Sequence, residues 1–127
     1  MAMYVRFEVP KDIQDKVYEL VEISRDTGKV RKGTNEVTKL VERGDALMVV
    51  MAEDVQPPEI LAHVPLLCEE RHVPYAYVAS KAELGNASGL EKPTAVVALM
   101  DFGKGKSQFE ALAEKISNLK KLSLIHI

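Results

Sequence analysis

The chain has 127 residues, a length typical of one domain, and its hydrophobic (46%) and charged (28%) fractions exclude a disordered chain. The net charge of −2 argues against bulk, non-specific nucleic-acid binding, and the single cysteine, Cys68, excludes an internal disulfide. We identify no leader peptide and no membrane-length apolar run, so we expect a soluble cytoplasmic protein that does not associate with membranes.

The first half of the chain carries signals for two strands and two helices. Alternating apolar and polar residues stop at Pro10, apolar residues then recur at helical spacing, and Gly44 closes a second helical pattern. In chain order we predict an edge strand at 3–9, a helix at 12–24, a basic loop at 27–34, a helix at 34–43 and a buried strand at 46–52.

The second half continues the alternation of helices and strands. We expect Pro65 to break a helical stretch, and Ser80 with Glu83 to form a capping box before a short helix that ends at Gly85 or Gly89. The predicted segments are a helical stretch at 58–71, a strand at 73–79, a helix at 80–89, a loop at 90–93, a strand at 94–100 and an amphipathic helix at 107–122. This order indicates an α/β fold, a single-domain α-β-α sandwich over 1–127 with a central mixed sheet of about four strands.

Motifs for catalysis or metal binding are absent from the sequence. Cys68 and His72 are spaced to share a helix face, but two ligands do not make a tetrahedral site, and a buried cysteine near a surface histidine is the simpler interpretation. EILAH is not the HExxH zinc motif, GNASG is not a P-loop, and no nucleophile elbow is present. We therefore predict neither an enzyme nor a cofactor.

The charges are segregated along the chain. Residues 25–43 hold six basic and three acidic side chains, whereas 53–70 hold five acidic side chains and no lysine or arginine. Within the basic segment, KGTNEVTKLVERG (32–44) predicts a helix whose free amides and positive dipole end lie beside Gly33. Such a helix end attracts phosphate.

The polar side of this predicted helix has two interpretations. Asn35, Lys39 and Arg43 lie on one line along the helix, with Glu36 alongside. Glu36 paired with Lys39 would form an ordinary solvated face, stabilised by a few tenths of a kcal/mol. Alternatively, the asparagine and the cations contact RNA bases and phosphates, and the carboxylate accepts from base amino or imino groups. Chemistry alone leaves both interpretations open.

The loop LEKP, residues 90–93, is a second candidate contact. An apolar residue, a charge pair and a proline make a stiff loop with an exposed Leu90. This leucine would act as a wedge against a splayed or stacked base; otherwise the segment is an ordinary loop.

Several segments together resemble one known family. They are KGTNEVTKLVERG (32–44), MAEDVQPPEI (51–60), LCEERHVPY (67–75) and GLEKP (89–93). In combination they are similar to the archaeal kink-turn-binding large-subunit ribosomal protein of the L-seven-Ae family, over roughly residues 3–119. The resemblance implies an α-β-α sandwich that binds kink-turns, which are sharply bent RNA helices with a bulge and tandem sheared G·A pairs.

The resemblance also implies a set of RNA-contact residues. The family positions that contact the edges of the G·A pairs match Asn35, Glu36 and Lys39. Those that contact the phosphate backbone match Lys32, Gly33, Thr34 and Arg43. Those that hold a flipped-out bulge nucleotide match Gln56, Ile60, Lys81 and Lys92, and the loop that packs on the bulge matches Leu90, Glu91 and Lys92. The chain departs from archaeal relatives at Lys92, where an aliphatic residue is common, and its ending LSLIHI (122–127) has no counterpart.

The family's roles extend the expectation to partners. Archaeal members belong to the large ribosomal subunit, to box C/D and H/ACA guide particles and to ribonuclease P, where they fold RNA without a catalytic site. The implied partners are large-subunit rRNA, the guide RNAs, ribonuclease P RNA, and in guide particles a Nop-domain protein and a fibrillarin-type methyltransferase. The acidic segment 53–70 would remain free for proteins. The residues alone leave two other classes open: a nucleotide-binding α/β enzyme using GNASG (85–89), or a protein-only adaptor using the apolar helix at 60–67.

Overall fold

Five α-helices and a four-stranded sheet make up the part of the chain that the computed structural model describes, residues 9–55 and 61–125, with side chains up to 119. The elements are α1 (Lys11–Thr27), β1 (Lys29–Lys32), α2 (Thr34–Arg43), β2 (Met48–Ala52), α3 (Val64–Arg71), β3 (Tyr75–Val78), α4 (Lys81–Ala87), β4 (Val96–Asp101) and α5 (Lys106–Ile125). A short 3₁₀ turn, Gly103–Gly105, joins β4 to α5. Within these described ranges, no helix combines the length and the apolar character needed to cross a bilayer.

The sheet is mixed, with the strand order β1-β4-β2-β3. β2 and β3 are parallel neighbours, and β4 runs antiparallel to both β1 and β2. β1, β2 and β3 therefore point the same way and end at one edge of the sheet, where β4 begins. We call this edge, with the loops that follow β1, β2 and β3 and the loop that precedes β4, the upper edge.

Helices cover both faces of the sheet. Every residue of β2 and β3 is buried, although successive side chains of a strand point to opposite faces. Helices α2 and α3 pack on each other, and α1 packs on α4 and α5. The predicted fold class, an α-β-α sandwich around a mixed four-stranded sheet, is thereby confirmed.

The helical periodicity in the sequence identifies the core faces of α1 and α2. The buried apolar residues of α1 are Ile13, Val17, Leu20 and Val21, and those of α2 are Val37, Leu40 and Val41. Each fully buried aliphatic side chain of this kind stabilises the fold by about 1.5–3 kcal/mol. Gly44 ends α2 as predicted, in a left-handed conformation (φ 77°) that glycine adopts without a Cβ penalty.

One local prediction was wrong: the basic segment 27–34 is not wholly a loop, because Lys29–Lys32 form β1 by pairing with β4. The expected break in the helical stretch 58–71 is present among its described residues, since a turn at 62–63 precedes α3. Pro65 stands in the first turn of α3, where a missing N–H costs no helical hydrogen bond. Of the two glycines proposed to end α4, Gly85 lies inside the helix, and Gly89 follows it with a positive φ. The predicted strand at 3–9 lies outside the described residues apart from Val9, which is buried.

Candidate nucleic-acid interface

The sheet topology gathers separate parts of the sequence at the upper edge. Lys32 pairs with Val97, and Met51 pairs with both Val96 and Tyr77, so the ends of β1, β2 and β3 adjoin the start of β4. The described residues at this edge are 33–36, 53–55, 79–81 and 90–94. The predicted contacts at the start of α2, at the start of α4 and in LEKP therefore share one edge of the molecule.

Gly33 connects β1 to α2 in a conformation that requires glycine. Its φ is 94°, its N–H donates to the carbonyl oxygen of Val96 (3.2 Å), and its carbonyl accepts from the N–H of Val37 (2.9 Å). A Cβ added at this position would meet no atom of the described residues within 4 Å, its two chain neighbours aside. The glycine is thus required by backbone geometry, and the space above it is open to a ligand.

Helix α2 begins with uncapped donors. The first amide bonded to the Gly33 carbonyl is that of Val37, and the N–H groups of Thr34, Asn35 and Glu36 have no acceptor among the described residues. Gly33 is the N-cap and supplies no side-chain oxygen, and its own N–H donates to β4, so Glu36 does not complete a capping box. Three free amides and the positive end of the helix dipole therefore face solvent.

The polar face of α2 is unpaired. The predicted contacts on this face are all exposed: Asn35, Glu36, Lys39 and Arg43. Among the side chains that the structure describes, the ion pair present is Arg25–Asp26, and no hydrogen bond or ion pair engages Glu36 or Lys39. The interpretation of Glu36 as an internal partner of Lys39 therefore has no support in the structure.

A groove of about 400 Å³ opens beside this face. It is lined by Val30, Arg31, Lys32, Glu36, Ser88 and Leu90. Three predicted contacts thus line one groove: Lys32 and Glu36, around the start of α2, and Leu90, which is distant from them in the sequence. Leu90, which is half-buried and not exposed as predicted, gives the groove an apolar wall. The two basic residues give it positive charge, and Glu36 gives it a hydrogen-bond acceptor. Arg31 and Ser88 also line the groove and were not predicted as contacts from the sequence.

The LEKP loop is fixed to α4 at both ends. The N–H of Leu90 donates to the carbonyl oxygen of Gly85 (2.9 Å), and the N–H of Thr94 donates to that of Lys81 (3.1 Å). A Cβ added to Gly85 would collide with the carbonyl oxygen of Lys92. The loop backbone therefore passes directly over this glycine, which holds Leu90 at the groove.

Arg25 of α1 supports the same loop from the scaffold side. Its Nε pairs with Asp26 Oδ1 (2.8 Å), its Nη1 lies 3.3 Å and 3.4 Å from the carbonyl oxygens of Asn86 and Ala87, and its side chain lies against Gly89. The hydrogen bond between the two side chains raises the pKa of Arg25 and lowers that of Asp26. Arg25 is the first basic residue of the segment 25–43, but its donors are bonded to the protein itself and stabilise the fold.

The other predicted contacts are placed as follows. Lys81 is half-buried at the start of α4, where its N–H donates to Asp54 Oδ1 (2.9 Å). The predicted Ser80 cap is present, since its hydroxyl accepts from the N–H of Glu83 (3.2 Å). Glu91 and Lys92 are exposed in the loop. Gln56 and Ile60 lie outside the described residues, so the pocket for a bulged nucleotide stays a prediction.

Features that would favour an enzyme are weak in the described residues. GNASG includes the C-terminal end of α4, where the helix dipole is negative and does not attract phosphate. Cys68 is buried and His72 is exposed, and within the described ranges no three His, Cys, Asp or Glu side chains group to hold a metal ion. The unpaired groups at the upper edge are therefore the strongest chemical signal on the described surface.

Comparison with known proteins assigns the fold to a family. The model of the ribosomal protein L7Ae/L30e/S12e/Gadd45 family matches residues 15–109. The chain belongs to this family. Among solved structures it is similar to a Giardia lamblia 15.5kD RNA binding protein, with 31% sequence identity, a TM-score of 0.80, and coverage of 96% of this chain and 98% of that chain. The family match spans every described segment of the upper edge, and it confirms at family level the resemblance identified from the sequence.

Proposed function

We propose that this L7Ae-family protein binds kink-turn RNA through the upper edge. The observation that carries the proposal is the polar face of α2, where Asn35, Glu36 and Lys39 are exposed and none has a partner among the described residues. Beside them lie the free amides of the first helical turn. In a well-packed domain, such groups are available to a ligand with complementary donors and acceptors.

Different groups at this edge would contact different parts of the RNA. The free amides of Thr34 and Asn35, together with Lys32, suit phosphate oxygens. Glu36 would be repelled by phosphates. We therefore assign it to hydrogen-bond donors of the RNA. Sheared G·A pairs offer amino and imino donors at their edges. Glu36 would then select the bases, and Asn35 and Lys39 would add base-edge contacts.

The groove would receive the part of the RNA next to the G·A pairs. Leu90 supplies an apolar surface on which a base packs, and Arg31, at the groove wall, adds a further cation. Glu91 in the LEKP loop and Arg43 at the end of α2 are also exposed, and we assign them further contacts to the RNA. A flipped-out bulge nucleotide would lie near Lys81 and Lys92, with Gln56 and Ile60, the two predicted contacts that follow β2 in the sequence.

The function that follows is structural rather than catalytic. A protein that binds only the kinked RNA stabilises it by the difference between its affinities for the two RNA conformations. The kinked RNA and the protein then form a platform for further assembly. We propose the archaeal settings of the family for this chain: the large ribosomal subunit, box C/D and H/ACA guide RNAs, and ribonuclease P, in the cytoplasm.

The proposed protein partners are a Nop-domain protein and a fibrillarin-type methyltransferase. Of the acidic segment 53–70, whose first residues belong to the upper edge, we assign the exposed part around Glu70 to protein contact. Two of its carboxylates already serve the fold, since Asp54 accepts from the N–H of Lys81 and Glu69 accepts from the hydroxyl of Tyr75. Glu70 is exposed, so charge reversal there should weaken recruitment of the Nop-domain protein without affecting RNA binding.

The proposal is tested by titrating the protein with two short RNAs at two salt concentrations. One RNA is a kink-turn, and the other has Watson–Crick pairs in place of the G·A pairs. We expect tighter binding of the kink-turn by about 1–3 kcal/mol for each base-edge hydrogen bond that the control RNA cannot form. Equal binding of both RNAs, with the same salt dependence, would show that the upper edge binds RNA only non-specifically, through its positive charge. Failure to bind either RNA would favour the protein-only adaptor.

A further inference from the structure

Two consecutive hydrogen bonds tie the first turn of α2 to the start of α3. Thr38 Oγ1 donates to the carbonyl oxygen of Thr34 (2.7 Å), and His63 Nε2 lies 3.0 Å from the same Oγ1. A carbonyl oxygen can only accept, so the Thr38 hydroxyl proton is directed to Thr34. The hydroxyl oxygen must then accept from the imidazole, which fixes His63 with a proton on Nε2.

This chain of hydrogen bonds adds a directional contact between α2 and α3. α2 has no side-chain cap at its N-terminus, and the buried residues of α2 and α3, which pack on each other, are apolar. Burial of apolar surface is non-directional, whereas a hydrogen bond has a preferred distance and angle and so adds a restriction on sliding and rotation of one helix against the other. Thr38 lies one turn after Thr34 and three residues after Asn35, so the restriction acts on the proposed recognition turn.

We propose that His63 is a positioning residue for RNA recognition, which fixes the first turn of α2 against α3 through Thr38. The inference rests on the proposed function, because it concerns the placement of Asn35 and Glu36 on base edges. Base-edge hydrogen bonds weaken steeply with distance and angle, whereas attraction to phosphates tolerates small shifts. Removal of the His63–Thr38 bond therefore lowers the affinity for G·A-containing RNA and spares non-specific binding.

The test uses two disrupting variants and two matched controls. Thr38→Val keeps the shape of the side chain without the hydroxyl, and His63→Asn shortens the side chain so that its amide does not reach Thr38. Thr38→Ser retains the hydroxyl, and His63→Gln places an amide N–H near the position of the imidazole Nε2. Kd is measured for the kink-turn RNA and for the Watson–Crick control, at a temperature where unfolding curves show every variant fully folded.

Each disrupting variant is expected to raise the Kd for the kink-turn by about 3- to 10-fold, the effect of removing one net hydrogen bond, with no change for the control RNA. The two conservative variants keep the wild-type affinity within about twofold, and the double variant is no worse than either disrupting single variant because both act through one bond. Such non-additivity would identify the pair as a unit.

The outcomes separate this inference from the proposed function. If the wild-type protein binds both RNAs equally, the proposed function itself fails. If the wild type prefers the kink-turn RNA but Thr38→Val and His63→Asn bind both RNAs as the wild type does, the positioning role is wrong and the proposed function stands. The same conclusion holds if the two variants change only the unfolding free energy. An equal loss of affinity for both RNAs would also overturn it, because His63 would then act as a phosphate contact.

Discussion

Arg25 and Lys39 carry the same charge in the same basic segment, yet the structure uses them in opposite ways. Arg25 on α1 pairs with Asp26 and reaches two carbonyl oxygens at the end of α4. Lys39 on α2 is exposed and has no partner among the described residues. A cation whose donors are engaged by the protein supports the scaffold, whereas one left unpaired beside free helix amides is available to a ligand.

The carboxylates show the same division. Asp54 accepts from the N–H of Lys81 and helps to cap α4, while Glu36 accepts from no group in the part of the chain that the structure describes. The α1–α4 side of the upper edge, which we call the scaffold side, thus holds the LEKP loop in place. The α2 side presents its polar groups outward. Substitutions on the scaffold side should therefore change stability first, and substitutions on the α2 side should change binding first.

The largest expected effect comes from Gly85→Ala on the scaffold side. Helix propensity alone predicts that alanine stabilises α4 by about 1 kcal/mol. The new Cβ collides instead with the Lys92 carbonyl, so we expect the unfolding free energy to fall by about 1–3 kcal/mol in urea denaturation. Asn86→Ala, at an exposed neighbour, is the control and should stay within about 0.5 kcal/mol of the wild type. A stabilised Gly85→Ala variant would show that the loop does not pass over this glycine.

Lys39→Ala should change binding and leave folding intact. We expect the affinity for kink-turn RNA to fall by about 1–3 kcal/mol, while the unfolding free energy moves by less than about 0.5 kcal/mol. Lys106→Ala, at an exposed lysine near the opposite edge of the sheet, is the matched control for charge and should bind almost as the wild type does. Equal losses in the two variants would mean that only total charge matters.

Arg25→Ala should show the opposite balance. Removal of its hydrogen bonds to Asn86 and Ala87 should lower the unfolding free energy by about 0.5–1.5 kcal/mol, with a smaller, indirect decrease in RNA affinity through the LEKP loop. Arg25→Lys keeps the charge without the forked donors and should recover only part of the stability. If Arg25→Ala instead lowered affinity as strongly as Lys39→Ala with unchanged stability, the division between the two regions would fail.

The smallest effect concerns Tyr18 on the scaffold side, whose hydroxyl lies 3.4 Å from both the N and the O of Ser80. Burial is the main cause that raises its pKa to about 12 from 10.0, so the folded state favours the neutral phenol. Its contribution to stability is therefore complete below pH 10 and is lost as pH rises towards 12. Discounted for partial exposure, the wild type should lose about 0.5 kcal/mol more than Tyr18→Phe over that range in urea denaturation. If the wild type and Tyr18→Phe lose the same unfolding free energy between pH 10 and pH 12, ionisation of Tyr18 does not affect stability.

Much of the fold can be predicted from local sequence patterns, but some elements depend on tertiary contacts that these patterns do not contain. Periodic apolar residues define α1 and α2, whereas β1 has only Val30 as an apolar residue and forms because β4 offers backbone partners. Pro65 predicts an interruption of the helical stretch 58–71, but only the structure shows that the helix resumes at Val64, with Pro65 in its first turn. Gly85 resembles a helix end in sequence, but the loop above it is what requires glycine.

The candidate site was predictable to a similar extent. The exposed line of Asn35, Lys39 and Arg43 follows from helical spacing, and the family resemblance adds a role for each. The absence of an ion pair between Glu36 and Lys39 among the described side chains is a tertiary fact. The same holds for the groove, because Arg31 and Ser88 meet Leu90 only after the sheet brings β1 and the end of α4 together.

The most direct test of base recognition by α2 is the discrimination shown by Glu36→Gln. The measurement is the ratio of the Kd values for the Watson–Crick control and the kink-turn RNA, in the wild type and in the variant at one salt concentration. Glutamine keeps the shape but offers one acceptor oxygen, so the ratio should fall by about 5- to 100-fold while control binding stays equal or tightens slightly. If the variant instead binds the kink-turn as tightly as the wild type, Glu36 is an ordinary solvated carboxylate and base recognition by α2 is wrong.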